Sequence, residues 1–528
     1  MGAKHQQGTK QKQPLNSGLH EACPSWITIV TTYFSYFILF LFGRVRDTFR
    51  TRVTVSQGYA PLTRDFEDFW TRRAYRRIRD CWNRPVCGVP GAYIDVLDRE
   101  SSDYNATFTI HKTFKQCLNL GSYNYLGFGQ SAGLCTDSAI DLLRSSGQSM
   151  CSTRREMGTH PAHVELENTV AKFVGKPAAI VLGMGYATNS TTIPLILCHK
   201  GDLVISDSQN HSSLVSGVRG SRATVRVFRH NDPEDLERVL RKCISEGQPR
   251  SGRPWKKILV VVEGIDSMGG DVGRLVEIVA LKKKYNCYLY LDEAHSIGAM
   301  GPSGRGICEH LGVDPADVDI LMGTFTKSFG SVGGYVAASA DLVHYLKRSC
   351  WAQNYATSMS PACAQQALSA LWCIMGMQPL VVRSGRDIGK EPKSLPANST
   401  EVGPKRIASL HDNANYFRSR MQAMGFEVLG DKDSPVVPVL TYQPAKMPSI
   451  SRYCLKHSLA VVVVGFPATP LIESRIRFCI SAAHTKEDID YALEVLSRAG
   501  DLFMFKYFKH APRISNDLKG YQPAHSSS

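Results

Sequence analysis

The sequence predicts an α/β protein with a mainly parallel sheet, followed by a smaller α+β domain and preceded by a membrane anchor. Three observations predict it. Short apolar runs alternate with helical periods from about residue 115, a polar Pro- and Gly-rich stretch interrupts the chain at 384–405, and an uncharged run at 26–43 is followed at once by arginines. The 528 residues suit one large domain and at least one smaller one, because single cores stop growing at roughly 250–300 residues. At 43% hydrophobic and 21% charged residues, the chain is neither wholly disordered nor a many-spanning membrane protein.

The run WITIVTTYFSYFILFLFG, 26–43, carries no charge. At about 1.5 Å per residue it nearly crosses a hydrocarbon layer of about 30 Å. Trp26, Tyr33 and Tyr36 are residues that favour a membrane interface. Residues 44–79 hold ten arginines against four acids, a local net charge of +6 that places the chain from 44 onward on the cytoplasmic side. A secretory signal is disfavoured by the long preceding segment and the lack of an A-x-A-like cleavage site. Gln6 spoils a myristoylation motif, and the SSS terminus is no prenylation signal. Spanning and interfacial attachment both fit, with a buried helix of the globular part as the alternative. The overall charge of +15 raises polyanions as partners, but the basic flank accounts for it locally. No aromatic-rich or zinc-type nucleic-acid motif accompanies it, so no nucleic-acid partner is expected. Fifteen cysteines without a CxxC pair argue against a disulfide framework or metal site and for a reducing compartment.

The apolar runs 178–186, 202–207, 224–230, 257–264, 287–295 and 318–327 read as buried strands, with helices expected at 232–247 and 274–286 between them. Polar residues gather at the C-terminal ends of these runs, where open α/β sheets bind ligands. Beyond the 384–405 loop, an amphipathic helix (407–426), two strands (434–442 and 460–466) and a closing helix (488–505) make the small domain. The expected division is a tail (1–25), a membrane segment (26–43), a basic juxtamembrane segment (44–115), a large domain (116–383), the loop, a small domain (406–505) and a second tail (506–528).

The sharpest motif is GTFTKSFGSVGGY, 323–335, which puts Lys327 where a strand gives way to a Gly/Ser-rich turn. Burial there depresses a lysine's pKa, as a Schiff-base lysine requires; a solvated loop lysine is the alternative on this motif alone. Asp292 ends the strand of CYLYLDEAH, 35 positions earlier. A carboxylate so placed keeps a pyridinium protonated as an electron sink, or else caps a helix. GMGYATN, 183–189, ends a strand and opens a helix, which suits a phosphate. It matches neither dinucleotide nor P-loop glycine patterns. Phosphate turn, aspartate and lysine in that order point to pyridoxal phosphate.

The blocks NLGSYNYLGF (119–128), GTHPAHVELE (158–167), SDSQNHSS (206–213), LDEAHSIGAMGPSGRG (291–306), GTFTKSFGSVGGY and ESRIRFCISAAHT (473–485) resemble, in order, those of the α-oxoamine synthases. These are pyridoxal-phosphate enzymes of fold type I, the aspartate aminotransferase-like fold, which condense an amino acid with an acyl-CoA and release CO2. DFWTRRAYRRIRDCWNRPVCGVPG (68–91) and VVVVGFPATPLIESRIRF (461–478) are similar to the lysine-bearing chains of its serine palmitoyltransferase branch. The resemblance implies L-serine and a long-chain acyl-CoA as substrates and a 3-ketosphinganine-type product. It further implies an endoplasmic-reticulum membrane location and a homologous lysine-free partner subunit, or a second copy of the chain. It makes Lys327 the cofactor-bearing base, Asp292 the partner of the pyridinium, His295 of the ring hydroxyl, and His211 the stacking residue. Gly185, Tyr186, Thr324 and Thr326 would hold the phosphate or ring edge, and Ala356 and Thr357 would reach a neighbouring subunit's phosphate. Arg477 would clamp the substrate carboxylate, and Asn124 would line the substrate side. Arg475 is the more doubtful arginine, and His160 and His163 are expected to be structural. Asp266 stands where the family usually has an aromatic or a histidine, and there it either alters substrate handling or sits in a turn. A sibling synthase using glycine or alanine, and a silent scaffold subunit, are the competing readings.

Overall fold

The computed structural model describes residues 25–49, 69–396, 398–399 and 402–507. The two tails, apart from their inner ends, and Arg50, Arg52 and Arg64 of the basic flank lie outside the described residues. The chain first makes β1 (Val86–Cys87), β2 (Tyr93–Glu100) and β3 (Thr109–Asn119). It then makes β4 (Ala178–Leu182), β5 (Asp202–Asp207), β6 (Thr224–Phe228), β7 (Lys257–Glu263), β8 (Tyr288–Asp292), β9 (Ile320–Thr324) and β10 (Gly334–Ala338). The C-terminal part adds β11 (Val436–Tyr442), β12 (Leu459–Ala460), β13 (Val462–Val464) and β14 (Ser474–Cys479).

Strands β4 to β10 form one seven-stranded sheet in the order β4-β10-β9-β8-β7-β5-β6. Strands β9, β8, β7, β5 and β6 are mutually parallel, and β10 runs antiparallel to both its neighbours. Side chains alternate across this sheet with the strand period of two. Ile180, Val204, Val261, Tyr290 and Met322 enter the core on one face, and Val181, Ile205, Val260, Leu291 and Leu321 the core on the other. Helices cover both faces, which is why these strands read as continuous apolar runs. The helices expected at 232–247 and 274–286 form as Pro233–Glu246 and Leu275–Tyr285. The first starts on the Asp232 side chain accepting from Asp235 N, and the second stops at Asn286 in the left-handed region (φ 50°).

The small C-terminal sheet runs β11-β14-β13 and shares a core with the helices Gly403–Ala423, Lys446–Lys456 and Lys486–Leu502. Two boundaries move. The division expected at 115/116 falls inside β3, which pairs with β2 and, through Leu118 and Leu459, with β12. The hairpin therefore joins the C-terminal layer, because its partner strand lies there. The helix expected from 407 starts at Gly403, taking the end of the 384–405 loop into its first turn.

At the N-terminus, Trp26–Thr48 is long and apolar enough to cross a membrane by length and composition. It also packs on the body of the protein. Tyr36 stacks on Trp70 at 5.9 Å, Phe40 on Phe69 at 5.3 Å, Asp47 pairs with Arg72 and Arg73, and Gln443 donates to Thr31 Oγ1 at 3.1 Å.

Candidate active site

The sequence places its candidate residues at the C-terminal ends of the parallel strands, and the sheet brings those ends together. Register sets Glu263 beside Asp292 across β7 and β8, and Asp292 beside Met322 across β8 and β9. Lys327 lies three residues past the end of β9. Its Nζ stands 5.6 Å from the Tyr123 ring centroid and has no hydrogen-bond or ion-pair partner among the described residues. Burial lowers its pKa to about 8, although the Asp292 and Glu263 carboxylates pull it upward. A lysine held there is partly uncharged near neutral pH and able to attack a carbonyl.

Asp292 is buried, and its two oxygens are held separately. Oδ1 accepts from Ala294 N at 2.8 Å, and Oδ2 from Asn189 Nδ2 at 2.8 Å. Asn189 is fixed in turn by the Tyr290 hydroxyl at 2.7 Å and by its own donation to Ser213 Oγ at 2.9 Å. Asn189 sits four residues after Gly185 on the helix Gly185–Ile196, hence on the same face. That i, i+4 spacing was its only sequence signal, and it was missed.

The first turn of that helix has donors suited to a phosphate. Its leading amides lack intrahelical acceptors, and a Cβ on Gly185 would lie 3.0 Å from Thr324 Oγ1. Thr324 Oγ1 lies 2.8 Å from Thr326 Oγ1 and 2.9 Å from Gly333 O. Tyr186 is exposed, its hydroxyl 2.7 Å from Ser216 Oγ and its ring edge-on to His211 at 6.2 Å. His211 caps the next helix, its Nδ1 2.8 Å from Ser213 Oγ and its backbone N donating to the Glu263 carboxylate. Burial lowers the His211 pKa. His295 is buried, with Nδ1 2.8 Å from the Tyr125 hydroxyl and its ring 5.3 Å from Tyr123; burial holds its pKa well below the usual value.

The two arginines on β14 part company. Arg475 is ion-paired to Glu473 at 2.8 Å and donates to Met268 O at 3.1 Å. Arg477 is equally buried but has no carboxylate partner among the described residues. Its guanidinium lies over Tyr123 at 4.8 Å, Nη1 reaches Ser267 O at 3.4 Å, and Nε is unpaired. A buried guanidinium without an anion is matched to an incoming carboxylate. Together with the unpartnered Lys327, the doubly held Asp292 and the Gly185–Thr324 cradle, it makes a donor set that fits pyridoxal phosphate and an amino acid.

Asn124 turns to the backbone: Nδ2 donates to Pro90 O at 2.7 Å and Gly129 O at 3.2 Å, and Oδ1 accepts from Gly129 N at 3.1 Å. These bonds close its own loop. Ala356 and Thr357 are exposed, and Thr357 bridges to Thr153; neither joins the cleft residues directly. His160 and His163 cap the helix Pro161–Val174, and His163 Nε2 lies 2.7 Å from Met359 O. Asp266 is buried in a turn and accepts from Met268 N at 3.0 Å and from Gly269 N. That turn's carbonyls are the ones Arg475 and Arg477 reach. Tyr123 and Tyr125 lie within the quoted block 119–128, yet single-residue reasoning gave them no role.

The family model for aminotransferase class I and II matches residues 115–382 and 387–496. The chain is 53% identical over 503 residues to long chain base biosynthesis protein 2a of Arabidopsis thaliana, covering 94% of this chain and 99% of that protein. It is 48% identical over 491 residues to serine palmitoyltransferase 2 of Dictyostelium discoideum, covering 92% and 96%. A high-resolution structure of SPT with PLP internal aldimine superposes with a TM-score of 0.65 at 28% identity, covering 78% of this chain and 93% of that one.

Proposed function

The chain belongs to the class I and II aminotransferase family, and from that premise we propose that it is the lysine-bearing subunit of a serine palmitoyltransferase. It is a pyridoxal-phosphate-dependent acyltransferase that condenses L-serine with a long-chain acyl-CoA, releasing CoA and CO2 and forming 3-ketosphinganine, the first step of sphingolipid synthesis. The observation that carries this reading is the unpartnered, low-pKa Lys327 set among Asp292, Tyr123 and Arg477.

Bound pyridoxal phosphate supplies a protonated ring that accepts the electrons left when the α-proton of serine is removed. Lys327 Nζ would hold the cofactor and, with its pKa brought close to working pH, would serve as the base for that proton. Asp292 keeps the ring nitrogen protonated, and Asn189 and Ala294 N keep the carboxylate aimed. His211 would stack on the ring and His295 would face its hydroxyl. The first amides of Gly185–Ile196, with Tyr186, Thr324 and Thr326, hold the phosphate. Arg477 binds the serine carboxylate in a fork, and the face of Tyr123 keeps the guanidinium level.

The exposed Ala356 and Thr357, with Tyr355 and Trp351 exposed nearby in the chain, support a site completed by a second subunit, a homologous chain without the lysine. The helix Trp26–Thr48 attaches the enzyme to the endoplasmic-reticulum membrane with the catalytic part on the cytoplasmic side. Its contacts with Trp70, Phe69 and Gln443 start at Thr31. A spanning helix would drag those partners into hydrocarbon, so the geometry favours attachment along the interface.

The test is a substrate screen with membranes carrying the full chain and its partner subunit. Serine with a long-chain acyl-CoA should give the long-chain base, and glycine or alanine with short acyl-CoAs little product. Preference for glycine and short acyl chains would move the assignment to a sibling synthase. Purified protein that binds no pyridoxal phosphate would revive the scaffold reading.

A further inference from the structure

One strand over from the lysine cleft, beyond Glu263, a second group of polar side chains converges that the chemistry above does not use. Asp207 ends β5, His230 follows β6, and Asp266 and Asp271 flank the turn after β7. With Asn210 and Glu263 they line a cavity of ≈ 20 Å³, room for one water-sized occupant. Asp207 Oδ1 lies 2.8 Å from His230 Nδ1. That contact puts the imidazole proton on Nδ1 and turns Nε2 toward the acids, the arrangement by which a carboxylate orients a metal-binding histidine. One donor atom each from His230, Asp266 and Asp271 lies within 4.8 Å of the others, and Nε2 is 3.9 Å from Asp271 Oδ2.

The backbone is shaped for this convergence. A Cβ on Gly269 would lie 2.3 Å from Asp271 Oδ2 and 2.9 Å from Asp266 Oδ2, so both carboxylates close in over a residue that has none. Asn210 supplies an independent sign. It is 8% exposed, and its Nδ2 donates to Ser206 Oγ at 2.8 Å and Val261 O at 2.9 Å. Its Oδ1, in a residue lining the same cavity, has no partner among the described residues. Buried amide oxygens are normally satisfied, and a cation would satisfy this one.

We propose that the cavity is a site for one divalent first-row transition cation, held by His230 Nε2, the Asp266 and Asp271 carboxylates and Asn210 Oδ1. One imidazole with carboxylate and amide oxygens suits Zn²⁺ or Mn²⁺ better than the all-oxygen cations Ca²⁺ and Mg²⁺. The cation clamps the 266–271 turn, whose Ser267 and Met268 carbonyls receive Arg477 and Arg475. Its effect on catalysis rests on the role proposed for Arg477; its binding does not.

The test uses the full-length holoenzyme, stripped with a chelator and titrated with Zn²⁺, or with Mn²⁺ separately, by calorimetry and by elemental analysis after desalting. One equivalent per chain is expected for the unaltered protein. Affinity should fall at least tenfold in Asp271→Asn, whose carboxylate is partly exposed, and in His230→Gln, with cofactor absorbance retained. Gly269→Ala keeps every donor and should still lose the site. No stoichiometric binding by the unaltered protein, or undiminished affinity in Asp271→Asn and His230→Gln, would overturn the proposal. Metal removal should raise the serine KM several-fold at constant kcat. A fall in kcat at constant KM would overturn the link to Arg477 while leaving the binding result standing.

Discussion

The C-terminal edge of the seven-stranded sheet carries two polar clusters, one on each side of Glu263, and they balance charge in opposite ways. On the β8–β9 side Lys327 faces Asp292, whose oxygens are already held by Asn189 and Ala294. Lys327 is left without a partner, and burial brings its pKa down to about 8. On the β5–β7 side, Asp207, Asp266 and Asp271 crowd around one histidine. Glu263 belongs to both, and burial beside Asp292 and Asp266 pushes its carboxyl well above the usual range. A strand-end pocket with surplus amine and one fixed anion suits chemistry, whereas one with surplus carboxylate suits a cation.

The comparison breaks most sharply at Lys327. Lys327→Ala should lower the rate of long-chain base formation by about a thousandfold or more, the scale of a lost base and cofactor tether; incorporation of labelled serine measures it. Asp292→Asn should cost about a hundredfold in kcat, because an amide cannot keep the ring nitrogen protonated. Its cofactor absorbance should persist, since the cradle at Gly185 and Thr324 is untouched. The β14 pair separates binding from scaffolding. Arg477→Ala should raise the serine KM by about ten- to a hundredfold, the worth of a charge-assisted hydrogen bond of about 1.5–3 kcal/mol. Arg475→Ala should instead lower thermal stability, because that guanidinium already has Glu473.

The smallest effect is one of stability. The Lys327 pKa is lowered on folding from 10.5 to about 8, so between those values the unfolded chain binds more protons than the folded one. Stability of the cofactor-free protein from this group therefore rises with pH from about 8 to 10.5. At pH 7 the buried ammonium costs up to about 3 kcal/mol, and cofactor-free Lys327→Met should melt at a higher temperature there. An equal melting temperature at pH 7 would contradict the burial.

Which parts of this were legible follows from locality. The central strands read as apolar runs because both faces are buried, edge strand β6 keeps its valines although Val225 and Val227 are exposed, and Lys327 and Asp292 read as chemistry because they stand at the ends of their strands. β10 escaped notice, since GGYVA follows the lysine turn directly and returns antiparallel between β9 and β4. The loop-closing bonds of Asn124 left no sign in the motif, which does not distinguish an amide that closes its loop from one that meets substrate. Asn189, Tyr123 and Tyr125 act through neighbours far off in sequence, as in the 2.8 Å contact of Tyr125 with His295 across 170 positions. The second cluster left no spacing signal, because its ligands come from three separate strand ends. The hairpin β2–β3 left no mark in the sequence pattern, because its partner β12 lies more than 300 residues away.

The most direct test of the central claim is exchange of the serine α-proton with solvent deuterium, followed by NMR in the absence of acyl-CoA. It isolates the proton transfer assigned to Lys327 Nζ from everything that happens to the acyl donor. The unaltered enzyme should exchange the proton, and Lys327→Ala with pyridoxal phosphate bound should not, even at pH values well above 8. Exchange by Lys327→Ala at the rate of the unaltered enzyme would contradict the account.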